Sequence, residues 1–200
     1  MKHASRLLSL LVLTAVFVLL AGCPKSVPDR AWDRGAFQRM DQNAEDYSLP
    51  AGITIDSISG SDSSIAESNQ PLAISVSNSN SGDVKVTFPA GLVFSPSDAA
   101  FEYMMLLKEF SFTATGGGST SQILPTYGCN EDTLEPPDPE TYYDKGWREN
   151  DKEVQELLDL VANKALNTDD ALDLAQEALN EISIDSGLVA TTRDSLKALP

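Results

Sequence analysis

Two thiols carry most of the side-chain reactivity in this 200-residue chain: Cys23, in "LLAGC", and Cys129, in "TYGCN". The partners that usually activate such groups are missing. The one histidine, His3, lies in an apolar leader, so a chain cut after that leader has no imidazole to act as base, metal ligand or proton shuttle. A Ser-His-Asp triad and an HExxH zinc helix are thereby excluded, and no GxSxG elbow occurs. The glycine-rich "TGGGST" at 115–120 lacks the Lys-Ser/Thr of a phosphate loop and reads as a turn. No Asp-x-Asp-x-Asp-Gly calcium loop is present. Acids are plentiful, yet no pair is marked out for acid/base work. The expectation is a protein that is not an enzyme, with no catalytic residues, no metal and no cofactor.

The leader decides the compartment. Residues 1–22, "MKHASRLLSLLVLTAVFVLLAG", begin with Lys2 and Arg6 and continue as an apolar run from Leu7 to Leu20. That run is short for a membrane span and has the layout of a secretory signal. Its last residues with the next, Leu20-Ala21-Gly22-Cys23, resemble the lipobox of bacterial lipoproteins. The resemblance implies that a diacylglyceryl group is attached to Cys23, that cleavage falls before it, and that acyl chains hold the protein on a membrane. Pro24 follows the Cys where an Asp would mark inner-membrane retention, so an outer membrane is favoured if the host has one. A Cys23 consumed in this way is not available to Cys129 as a disulfide partner. Burial at a strand end is the plain expectation for the remaining thiol.

Charge narrows the partners. The chain has 14 Lys plus Arg and 30 Asp plus Glu. Two of the bases and none of the acids lie in the leader, which leaves 12 against 30 and a net of −18. Such a surface repels phosphate backbones and anionic headgroups, so no nucleic acid is expected and the membrane is held through the lipid on Cys23. The expected partner is an unidentified envelope or extracellular protein.

The positioning elements fall into blocks. Residues 23–52 read as a lipidated N-terminus and tether, with one short helix around Trp32 to Met40. Residues 53–130 carry the period of strands. "LAISVS" alternates Leu72, Ile74 and Val76, "VKVTF" alternates Val84, Val86 and Phe88, and Pro89-Ala90-Gly91 turn the chain into Leu92 and Phe94. "FEYMMLLKEFSFTAT" alternates Tyr103, Met105 and Leu107, then resumes at Phe110, Phe112 and Ala114, which predicts one long strand bent at Lys108-Glu109. Six or seven such strands predict an antiparallel β-sandwich of immunoglobulin-like size. Residues 131–147 read as a Pro-rich acidic connection.

Residues 148–200 change to helical period. Val154, Leu157, Leu158, Val161, Ala162, Ala165 and Leu166 form one stripe, with Asn150 and Glu153 at cap spacing. Ala171, Ala175, Ala178, Leu179 and Ile182 form a second behind Thr168, Asp169 and Asp170. A third helix is predicted near "TTRDSLKAL", where Thr191 and Asp194 have cap spacing. The fold class expected is α+β, a sandwich followed by two to three helices packed on it.

A second resemblance spans roughly residues 84–182. "VTFPAGLVFSPSD", an apolar strand and "YGCN" resemble extracytoplasmic bacterial modules in which a PAG-x-V/L-F turn precedes a long strand, a Cys-bearing strand end and a helical segment. Those modules resemble surface thioester domains, with a Cys after an aromatic-bearing strand and a helical motif hydrophobic-Gln-x-x-hydrophobic-Trp. In "AQEALN" the residues Ala175, Gln176 and Leu179 match, Asn180 stands in place of Trp, and Gly128 separates Tyr127 from Cys129. The resemblance implies an internal thioester between Cys129 and Gln176, able to capture an amine or hydroxyl of a target covalently. The function expected from the residues is a membrane-anchored, non-catalytic binding or structural lipoprotein. The alternative is an adhesin-like covalent module.

Overall fold

The computed structural model describes residues 44–68, 70–129, 134–184 and 187–200. Cys23, the leader and the tether up to residue 43 lie outside them. The described residues form antiparallel sheets followed by three helices, an α+β arrangement.

Strand β1 (Ile53–Gly60) pairs with β2 (Leu72–Asn78), and β2 with β7 (Ser119–Leu124). The period is visible in β2, where Leu72, Ile74, Val76 and Asn78 are buried while Ala73, Ser75 and Ser77 face outward. Strand β3 (Val84–Phe88) pairs with β6 (Phe110–Ala114). The third sheet has the order β8-β5-β4-β9, made of β4 (Leu92–Pro96), β5 (Met104–Leu106), β8 (Thr126–Gly128) and β9 (Tyr143–Arg148). Between β3 and β4 the chain turns at Gly91, whose φ of 80° suits glycine. One core cluster draws on all three sheets: Ile74 and Leu124, Val86 and Phe88, and Leu92, Phe94, Met104 and Tyr143.

The stretch 101–114 departs from the expected single bent strand. β5 belongs to the four-stranded sheet and β6 to the β3 ladder, with Lys108 and Glu109 between them. Met104 to Leu107 are all buried, the signature of a central strand covered on both faces. Two charges cannot continue such a strand, and Lys108 instead donates to the backbone oxygen of Lys164. A second difference is β9, which occupies part of the stretch read as a connection. Tyr143 and Trp147 of β9 are buried, as are Thr141 and Glu149 on either side of it.

Helix α1 (Lys152–Val161) buries Val154, Leu157, Leu158 and Val161. Its N-cap is Asp151, which accepts from the Glu153 amide at 2.8 Å, rather than Asn150. Helix α1 stops before Ala165; the Ala165 N–H is taken up by the Pro200 oxygen at 3.1 Å, while Leu166 stays buried. Helix α2 (Asp169–Ile184) buries Ala171, Ala175, Ala178, Leu179 and Ile182 behind Thr168, whose hydroxyl accepts from Ala171 N–H at 3.3 Å. Helix α3 (Ala190–Ala198) is preceded by Val189 and has no side-chain cap bond, so Thr191 lies inside the helix rather than at its cap. A two-pronged pair, Arg193 Nε to Glu156 Oε1 at 2.6 Å and Nη2 to Oε2 at 3.1 Å, ties α3 to α1.

Candidate functional site around Cys129

Cys129 follows β8, and its backbone N–H donates to Tyr103 oxygen at 2.8 Å, so the residue is fixed beside the start of β5. β8 is the outer strand of its sheet, and an outer strand leaves alternate N–H and C=O groups without a ladder. Side chains fill that need. The Ser68 hydroxyl donates to Thr126 oxygen at 2.6 Å. At Gly128 the partner is Gln176 of α2: the Gly128 N–H donates to Oε1 at 3.1 Å, and Nε2 donates to the Gly128 oxygen at 2.7 Å. The carboxamide thus does for Gly128 what a further strand would do.

The orientation of this amide is fixed by its surroundings. Asn180, one helical turn beyond Gln176, accepts from Nε2 through Oδ1 at 2.9 Å. Reversing oxygen and nitrogen would set donor against donor at Gly128 N–H, so only one placement satisfies the network. Gln176 and Gly128, 48 positions apart, therefore meet, and Cys129 is the residue that follows Gly128.

Gly128 has a second role. A Cβ there would lie 2.0 Å from Glu102 Oε2 and 2.7 Å from Gln70 Oε1. Glycine admits the Glu102 carboxyl, 7% exposed, against the strand backbone. The residue that interrupts the Tyr-Cys pairing of the resemblance is thus required by packing.

The electrostatics keep the thiol protonated. Cys129 is fully buried, and burial first, then the charges of Glu102 and Glu149, push its thiol well above the usual range. Its sulfur lies 3.8 Å from the Tyr127 oxygen. Tyr143, 4% exposed, has its hydroxyl raised by burial, then by Glu102, Asp138 and Cys129. Among the described residues that hydroxyl and Gln70 Oε1 have no hydrogen-bond partner. Glu149 is raised by burial, opposed by hydrogen bonds from Trp147 Nε1 and the amides of Asp151 and Asn150. A neutral thiol is a weak nucleophile, so this is no activated cysteine of the protease kind.

Beyond the site runs an open polar cleft of about 580 Å³, bordered by Asp62, Ser64, Gln70, Asn167, Asp169 and Leu172. Leu172 lies one turn before Gln176, so cleft and carboxamide share α2. The residues that sequence reasoning missed are Glu102, Tyr143 and Asn180. Glu102 did carry a signal, as an acid at the edge of the apolar run "YMMLL". Among the described residues no three His, Cys, Asp or Glu side chains gather as a cation site, and no helix is long and apolar enough to cross a membrane. No family model, curated protein or solved structure matches the chain.

Proposed function

We propose that the protein is a lipid-anchored extracytoplasmic module, held on a bacterial envelope membrane through Cys23, whose work is binding or structural support rather than turnover. The observation that carries this is the leader ending in Leu20-Ala21-Gly22-Cys23. The strands, on this reading, stack as a two-layer antiparallel sandwich of immunoglobulin-like size, supported by the core cluster to which all three sheets contribute. The acidic surface suits a soluble body displayed from its anchor, outer-membrane in a host that has one, with an envelope or extracellular protein as partner. Fatty-acid labelling of cells tests the anchor: label on the wild-type protein and none on Cys23→Ala is expected, and label persisting on Cys23→Ala sinks it.

A second reading sharpens the first: attachment to the partner is covalent, through a thioester between Cys129 and Gln176. The observation favouring it is the carboxamide of Gln176 bonded on both its ends to Gly128, the residue preceding Cys129. The thiol and the amide described above are then the open form. A thioester captures once and does not turn over, in keeping with a module that is not an enzyme. Exposure to methylamine distinguishes the two modes: a covalent module gains a methylamide at Gln176, and a non-covalent one is unchanged.

A further inference from the structure

We propose that Asn180 is the positioning residue for closure of the bond, holding the Gln176 carboxamide so that its nitrogen leaves and its oxygen turns to the Gly128 N–H. The inference rests on the thioester reading of the site.

Three hydrogen bonds define the arrangement. Gly128 N–H lies 3.1 Å from Oε1, where negative charge develops when a nucleophile adds to the amide carbon, and a backbone donor fixed in a strand stabilises that charge without reorganising. Nε2 is held on two sides, by the Gly128 oxygen at 2.7 Å and by Asn180 Oδ1 at 2.9 Å. The first two bonds come from one residue and leave the amide free to pivot about the strand edge. Asn180 supplies the third point from α2 itself, and its own backbone is secured, since Ser183 Oγ donates to the Asn180 oxygen at 3.0 Å. Three points fix a plane, so the amide is held in one orientation against Gly128, the residue that precedes Cys129.

The step balances within the site. Cys129 Sγ adds to Gln176 Cδ and the carbonyl electron pair moves onto Oε1, under the Gly128 N–H. The pair returns as the Cδ–Nε2 bond breaks, the thiol proton passes to Nε2, and ammonia leaves. Because burial disfavours the thiolate, proton transfer accompanies bond making, which places weight on the geometry of Nε2. The reverse step with ammonia restores the thiol and the amide.

The test uses that reversal on the whole mature protein. Ammonia opens the bond, is then removed, and re-closure is followed by intact mass as the loss of one ammonia. Asn180→Leu, which keeps bulk and removes the acceptor, is expected to close about tenfold to a hundredfold more slowly at unchanged melting temperature. Asn180→Asp, which keeps an acceptor oxygen, should close at close to the wild-type rate. If Asn180→Leu does not fold, the comparison of Asn180→Ala with Asn180→Asp takes its place. Wild-type closure with equal closure of the acceptor-free variant overturns the role of Asn180 and leaves the thioester standing. Closure of Asn180→Asp as slow as that of the acceptor-free variant also overturns it. A wild-type protein that never loses ammonia overturns the thioester, and this inference with it.

Discussion

Gln176 and Gly128 are hydrogen-bonded to each other twice, across 48 positions of sequence, with Gly128 donating to Oε1 and accepting from Nε2. The contact joins the outer strand of a sheet to a helix through one side chain. It also sets Gln176 against the residue that precedes Cys129. Replacing Gln176 by Ala leaves a partly buried N–H and C=O unpaired, and a loss of about 1–3 kcal/mol is expected in denaturant unfolding. A loss near zero would mean that water serves the strand edge equally well.

Gly128→Ala tests the close approach on the other side of the same residue. The new Cβ meets Glu102 Oε2 at 2.0 Å, and a carboxyl that is 7% exposed has little room to retreat. A destabilisation of about 1–3 kcal/mol is expected. The clash is assigned to Glu102 if Gly128→Ala combined with Glu102→Ala is less destabilised than the two losses added together. Strict additivity would point to backbone strain instead.

Much of this was legible, for reasons of range. The stripe Val154, Leu157, Leu158 and Val161 and the alternation of Leu72, Ile74 and Val76 are local patterns, and each forms the expected element. The contact of Gly128 with Gln176 left no local signal, because no local rule brings a strand end to a helix 48 positions on. Asn180 read as a mismatch in a motif; its contact with Nε2 exists only once α2 is wound and docked. Asp151 rather than Asn150 caps α1 because the helix begins at Lys152, so it is the Asp151 side chain that meets the Glu153 amide. The break at Lys108-Glu109 looked like a bend because side-chain alternation does not say which sheet a strand joins.

Glu149 itself is a point of weakness. It accepts from Trp147 Nε1 at 3.1 Å and from the amides of Asn150 and Asp151 at 3.0 and 2.9 Å. Glu149→Ala takes this acceptor away from all three donors, and a loss of at least about 2 kcal/mol is expected, since a donor left unsatisfied on burial costs about 1–3 kcal/mol. A smaller loss in chemical denaturation would show that the start of α1 re-forms around other acceptors.

Alkaline pH acts through the two buried phenols. Burial raises Tyr127 and Tyr143 above their ordinary 10.0 in the folded protein. The native state then keeps protons that the unfolded chain gives up, so their contribution is whole below pH 10 and is lost as pH climbs toward the folded values. Tyr143→Phe should lessen that loss and leave neutral stability equal or greater, because the hydroxyl it removes has no partner among the described residues. A melting temperature with the same alkaline slope in Tyr143→Phe would remove Tyr143 from the account.

Covalent attachment is tested most directly by the mass of the Cys129 and Gln176 peptides after digestion of the protein as isolated from cells. The bond predicts one linked species, lighter by one ammonia than its two parts and absent from both Cys129→Ala and Gln176→Ala. Two separate peptides of full mass, with the Cys129 thiol open to maleimide after unfolding, would contradict it.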